Sequence, residues 1–418
     1  MKKPSIVILL FLIILGGISA NTVLAYWDTN TISERENRRL APEPELTKES
    51  WLSGEFARGT EEFLGDHAYR RNQLLDLSER FTACLGKDME VRVVSQAVDM
   101  GQGQPEQAEG DDSEGSQATE AREEEKEERI ILEDRVLSSY TSNPRARNRY
   151  RNVVNAFMDM FPDTISKANL IIPSRIAFEP DYQDFTDDQR KDIQAVYEGL
   201  DASVHTVDIW EELAAGDVNE LYFRTDHHWS ADGAYIGVKG YLEEIGRTCY
   251  PKDRYQRRTG ESFLGYLYAQ TGQESLRNHK DELAYYVHPD GISREIRFIK
   301  REDGSTPEVS VEDVVLDASR QGYYTFVGES FAYSIIDGKL QDGSCLLLVG
   351  DSYCNAMAPW FSDNFEKVII LDPRDWLTGK DGLMNLYEQE QVTHILMADY
   401  TSVIGNYWFT SQIEKMTK

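Results

Sequence analysis

Short apolar runs recur along the chain. Leu346–Val349 is wholly apolar, and Ala168–Ile172, Lys367–Leu371 and His394–Met397 resemble it in length and character. Runs this short predict strands buried on both faces, as at the centre of a parallel sheet. Val204–Ile209 reads as a further strand. Between them, apolar positions at helical spacing predict helices over Arg145–Met160 and Asp187–Leu200. A third is predicted from an N-cap at Ser230 to about Ile245, with Asp232 set against its dipole. Strands alternating with helices predict an α/β fold, a parallel sheet with helices on both faces. From about Tyr250 to Gly328 the rhythm breaks into polar turns and short alternating runs, Leu283–Val287 and Glu295–Ile299. That section, 250–328, is expected to be an irregular, β-rich insertion. Trp51–Phe81 is helical in character, with Phe56, Phe63, Leu64 and Leu75 as its buried positions and His67 as a structural or exposed residue.

Gly350 follows the Leu346–Val349 strand and permits a tight turn or a close approach. In Gly350-Asp351-Ser352-Tyr353-Cys354-Asn355 that turn would present Ser352 at the carboxyl end of the strand. In open α/β sheets chemistry sits at that edge. Most serines after a glycine are ordinary turn residues; a second stretch, Thr225-Asp226-His227-His228-Trp229, raises this one. In an extended loop Asp226 and His228 fall on one side of the backbone. The carboxylate can then accept from the imidazole Nδ1–H and steady the imidazolium after proton transfer. A serine hydroxyl needs such a base to act as a nucleophile. The pattern therefore points to Asp226 as orienting acid, His228 as general base and Ser352 as nucleophile, in that chain order. The rival reading makes Asp226-His227-His228 a set of metal ligands. Neighbouring histidines of a strand point oppositely, and the chain holds seven His in all, so no metal is expected. His227 reads as a supporting residue. Trp229 is either a core residue or a wall of a sugar-binding cleft, and Tyr353 is a second candidate for contact with substrate.

Composition narrows the picture. The 418 residues carry a formal charge of −29, a poor balance for binding nucleic acid, whose phosphates need clustered Lys and Arg. Residues 99–128 hold 12 acidic side chains against Arg122 and Lys126, so −10 of the total sits there. Rich in Gly, Gln, Glu and Ser, residues 97–128 read as a disordered acidic insertion, with Ala121–Glu128 as an exposed charged helix. Cys84, Cys249, Cys345 and Cys354 show no metal-type spacing and exclude a disulfide-built scaffold. Lys2 and Lys3 precede the apolar run Ile6–Leu15, and the uncharged stretch continues to Trp27. Residues 1–27 are thus a signal peptide or a membrane anchor, both readings staying open, and the body is expected outside the cytoplasmic membrane. An extended and helical segment follows over 28–96. The main domain then falls in two parts, 129–249 with the Asp-His motif and 329–418 with the serine.

Arg224-Thr225-Asp226-His227-His228-Trp229-Ser230-Ala231-Asp232-Gly233-Ala234-Tyr235 resembles the signature of the bacterial DHHW protein family. That family is related to the SGNH-hydrolase-like acetyltransferases of alginate O-acetylation. Ser33–Leu40, Gly65–Asn72, Phe263-Leu264-Gly265 with Ser275 and Asp281, and Gly350–Asn355 are similar to its other segments. The resemblance implies an SGNH-hydrolase-like α/β domain with a permuted triad order: Asp226, His228, then Ser352. Phe326-Val327-Gly328-Glu329-Ser330 departs from the family, where relatives carry a Gly-Gly-Asn-like turn. Gly328 can still lend a backbone N–H to an oxyanion, and the Ser352 N–H and Asn355 are the substitutes for the missing amide.

The resemblance further implies an extracytoplasmic O-acetyltransferase. It would carry acetyl on Ser352 and pass it to a hydroxyl of a cell-surface or secreted polysaccharide. No cofactor is implied, and the acetyl donor would be a membrane-bound O-acyltransferase. A carbohydrate acetyl-esterase using the same residues, and a non-catalytic glycan-binding or assembly protein, are the alternatives.

Overall fold

The computed structural model describes residues 126–290 and 332–418 without a break. It also describes 32–33, 38–39, 41–44, 46–48, 50, 55–68, 92–97, 295–299, 308–312, 316, 320 and 322–328. The apolar stretch 1–27 and Cys84 lie outside these residues. No helix among the described residues is long and apolar enough to cross a membrane. The chain divides into two compact units, Met1–Glu90 with Leu264–Asn278, and Val91–Phe263 with His279–Lys418.

In the smaller unit the helix Glu55–Asp66 occupies part of the stretch expected to be helical, and Phe63 is buried. His67 Nε2 lies 3.0 Å from the Ala41 carbonyl and its ring 4.4 Å from that of Phe63, so this histidine is structural. Leu75 lies outside the described residues.

The larger unit is built on an eight-stranded sheet. Its strands in chain order are β1 (Ser166–Ile172), β2 (Val204–Val207), β3 (Glu295–Ile299), β4 (Glu308–Glu312), β5 (Tyr333–Asp337), β6 (Cys345–Gly350), β7 (Lys367–Leu371) and β8 (His394–Tyr400). In space they run β4-β3-β5-β7-β6-β8-β1-β2. The five from β7 to β2 are mutually parallel. Central strands of this kind bury both faces, which is why they read as unbroken apolar runs. On one face Ala168, Leu170, Leu346, Leu348, Val368, Ile370 and Leu396 pack with helices α3 (Ala231–Glu244) and α4 (Tyr353–Phe361). The alternate residues Ile171, Leu347, Val349, Ile369, Ile395 and Met397 pack against α1 (Pro144–Met158), α2 (Gln189–Tyr197), α5 (Gly379–Glu390) and α6 (Tyr407–Lys415). Ser230 caps α3, its hydroxyl accepting from the Asp232 and Gly233 amides.

Three strands depart from the all-parallel expectation. β5 adds to β7 antiparallel, and β3 and β4 extend the same edge. The section expected as an insertion therefore supplies two strands, β3 and β4, to the main sheet. Its other strands, Gln256–Thr259 and Ala284–Val287, pair separately. The acidic stretch also differs at its end. Lys126–Ile131 is a strand, not a helix: Lys126, Glu127 and Glu128 pair antiparallel with Ala97, Gln96 and Ser95. Residues 98–125 lie outside the described residues.

A polar cluster interrupts the apolar face beneath α1. Asp399, fully buried on β8, accepts the Tyr150 hydroxyl at 2.6 Å, and that hydroxyl also receives the Asn169 amide at 3.1 Å. Burial first, and then the charge of Asp351, push the Asp399 carboxyl well above the ordinary aspartate value of 3.8. Between the two values the folded chain holds a proton that the unfolded chain has released, so stability falls as pH climbs through this window. Asparagine at 399 keeps an acceptor for Tyr150 and has no charge to bury. We predict that Asp399→Asn melts with the wild type below about pH 4 and increasingly above it as pH rises. Thermal unfolding across pH checks this, and a constant difference between the two proteins would contradict it.

Candidate active site

Gly350 ends β6 opposite Ala398 of β8. A side chain at 350 would meet the Ala398 carbonyl at 1.9 Å, so the close approach of the two strands requires glycine there. The turn is tied down by Asp351, whose two carboxylate oxygens accept the Tyr353 and Tyr400 amides, each at 2.8 Å. Burial raises the pKa of this carboxyl. Ser352 follows as the N-cap residue of α4, half-buried at the carboxyl edge of the sheet.

The loop that meets it is clamped from several sides. Asp281 accepts the Arg224 amide at 2.7 Å, the Thr225 amide at 2.8 Å and the Thr225 hydroxyl at 2.6 Å. Arg175, held by Glu179 and Asn219, donates to the Tyr222 and Phe223 carbonyls. The Phe223 and Ser230 amides close the loop on the His228 and Leu221 carbonyls. Two bonds then join this loop to the serine turn: Trp229 Nε1–H donates to the Tyr353 carbonyl at 3.1 Å, and the Tyr353 hydroxyl donates to the His227 carbonyl.

These constraints bring the three expected residues together. Asp226 Oδ1 lies 2.6 Å from His228 Nδ1 and also accepts the His228 amide at 3.0 Å. His228 Nε2 lies 2.8 Å from Ser352 Oγ. A carboxylate only accepts, so Nδ1 carries the proton and Nε2 faces the serine hydroxyl as an acceptor. Asp226 is 2% and His228 6% exposed, which shields the pair from competing water.

His227 does not point away from His228, as adjacent residues of an ideal strand would. Its ring lies 3.9 Å from that of His228, because the loop curls where Asp226 accepts the His228 amide. Burial foremost, then the neighbouring His228, hold its pKa well below the ordinary histidine value, so it stays neutral. Ligand atoms of Asp226, His227 and His228 lie within 4.8 Å of one another. A cation among them would have to displace the proton shared by His228 and Asp226, so this donor set suits a proton relay better than a metal.

Two of the expected substrate contacts are corrected. Trp229 is fully buried, with its N–H committed to the Tyr353 carbonyl, so it is a core residue. Tyr353 is 1% exposed, its ring stacked on Tyr400 at 4.7 Å, and it ties loops together. Of the expected oxyanion donors, the Ser352 N–H engages no partner among the described residues. Asn355 lies one helical turn on, with its side-chain amide equally uncommitted, on the face of α4 that carries Ser352. Gly328 has φ +84°, follows Val327 at φ +65°, and packs against the Arg320 guanidinium. A β-branched residue in that region stores strain of about 1–3 kcal/mol. Glu329 and Ser330, the departure from the family turn, lie outside the described residues.

Sequence reasoning missed Tyr323, which stacks on His228 at 3.8 Å, and the supporting roles of Asp281, Arg175 and Asp351. Burial raises the Asp281 carboxyl, yet three donors converge on it. Removing it strands buried donors at about 1–3 kcal/mol for each left unmet. We predict that Asp281→Ala is destabilised by about 3 kcal/mol or more in chemical denaturation; wild-type stability would contradict the clamp.

Comparison with known proteins bears on family and fold. The DHHW protein family matches residues 99–371. No curated protein matches. Among solved structures, a DHHW family protein from Eubacterium siraeum is 23% identical, with a TM-score of 0.59 over 69% of this chain and 94% of that one. PatB1 of Bacillus cereus is 16% identical, with a TM-score of 0.56 over 68% of this chain and 99% of that one, and has also been solved with a sulfonyl adduct. With its mainly parallel sheet and helices on both faces the fold is SGNH-hydrolase-like, and the chain belongs to the DHHW family.

Proposed function

We propose that this chain is a serine O-acetyltransferase acting on a hydroxyl of a polysaccharide outside the cytoplasmic membrane. The observation that carries the reading is the unbroken relay from Asp226 through His228 to Ser352, at 2.6 and 2.8 Å, on the edge of the sheet where ligands bind. The acetyl group and the glycan come from the kinship of the DHHW signature with SGNH-like O-acetylation. The stretch 1–27, as an anchor, would hold the domain near a membrane-bound acyl donor.

The chemistry follows from the geometry. Ser352 Oγ attacks the acetyl carbonyl carbon while His228 Nε2 takes the hydroxyl proton, and Asp226 steadies the imidazolium. The Ser352 N–H and the Asn355 amide stabilise the oxyanion, with the Gly328 N–H as a third donor. The departing alcohol oxygen receives the proton from Nε2, leaving acetyl-Ser352. A glycan hydroxyl then enters, gives its proton to Nε2 and takes the acetyl group, and the proton returns to Ser352. Water in place of the glycan completes hydrolysis instead. Trp229 and Tyr353 are buried, so neither serves as a platform for a sugar ring.

Two outcomes test this. With an acetyl-ester donor, adding an oligosaccharide acceptor diverts acetyl from acetate to the sugar, as mass spectrometry of the products shows. Acetate alone at every acceptor concentration makes the chain an esterase. Ser352→Ala and His228→Ala each lose at least about a thousandfold in turnover, and Asp226→Asn falls comparably through the wrong tautomer. Wild-type turnover in Ser352→Ala removes Ser352 as the nucleophile and with it the acyl-serine route.

A further inference from the structure

His228 is held at its two nitrogens by hydrogen bonds and on its two faces by rings. Tyr323 lies face to face with the imidazole, centroids 3.8 Å and planes 5° apart. His227 lies 3.9 Å away, tilted by 36°. One face has no room for two rings at that separation, so they take opposite faces. Tyr323 is itself braced edge-on by Phe326 and Phe223 and is buried. Its hydroxyl donates to the Ser352 carbonyl at 3.0 Å, lies 3.3 Å from the Tyr353 carbonyl, and accepts the Ala356 amide at 3.3 Å. One side chain thus touches the base with its ring and the nucleophile's turn with its hydroxyl.

Hydrogen bonds alone leave the imidazole free to pivot out of its plane about the contact with Asp226, and that pivot carries Nε2 away from Oγ. Rings packed against both faces block it. Nε2 must stay within hydrogen-bond reach of Oγ for the proton to move, and a misplacement of about 1 Å costs about a hundredfold in rate. The electron-rich face of a phenol ring also favours the cation that His228 becomes when it gains the proton.

We propose that Tyr323 is the positioning residue of the relay, its ring setting the plane in which His228 meets Ser352 Oγ. This rests on the reading of Ser352 as a nucleophile activated by His228, and the test separates the two claims. An arylsulfonyl fluoride reports on the Ser–His pair without donor or glycan. Its sulfur bonds to Ser352 Oγ, fluoride leaves, and His228 accepts the hydroxyl proton.

The second-order rate of this labelling, followed by intact mass on the full chain, is compared for wild type, Tyr323→Phe and Tyr323→Leu. The phenylalanine variant keeps the ring and should stay within about threefold of wild type, whereas leucine should slow about a hundredfold while still reaching one label per chain. Leucine within about threefold of wild type, or phenylalanine and leucine slowed alike, overturns the assignment. Should the leucine variant fail to fold, Tyr323→Met, which fills the volume without a flat face, is read by the same outcomes. A wild type unlabelled at Ser352 would instead sink the nucleophile reading, whatever Tyr323 does.

Discussion

The bond from His228 Nε2 to Ser352 Oγ joins positions 124 residues apart. A proton relay tolerates little error, so everything between them must hold two loops in register. On the serine side the work is done by the backbone. Gly350 lets β6 lie close to β8, and Asp351 spends both oxygens on amides flanking the turn. On the histidine side it is done by buried polar side chains, Asp281 and Arg175, which replace the ladder bonds that a loop lacks. Trp229 and Tyr353 then bolt one loop to the other.

Charge is kept simple where the proton moves. The chain as a whole is strongly acidic, yet its relay contains one acid and one base at hydrogen-bond distance. His227 sits against the base but stays neutral, because burial and its neighbours oppose a second cation. In the proposed transfer the imidazolium on His228 would thus be the one new cation, placed against Asp226 and the face of Tyr323.

Much of this was legible in the residues, and the rest was hidden for physical reasons. Apolar runs such as Leu346–Val349 announce a doubly covered strand, and Asp226, His228 and Ser352 announce themselves by spacing and chemistry. The antiparallel edge was not legible, since β3 and β4 alternate like any ribbon and nothing local says which strand they join. Lys126–Glu128 misled because a charged run suits an exposed helix as well as a ribbon end. Trp229 misled because an aromatic beside a catalytic pair suits a cleft wall as well as a core. Tyr323 carried no signal at all: its role comes from tertiary stacking, and Tyr323-Tyr324 reads as two ordinary aromatics.

The most direct test of the account is where an acetyl group lands when the chain meets an activated acetyl ester. Rapid acid quench and peptide mass mapping should find one acetyl on the peptide containing Ser352, transient in the wild type and absent from His228→Ala. Acetyl on any other residue, or its persistence at Ser352 without the imidazole, would contradict the relay.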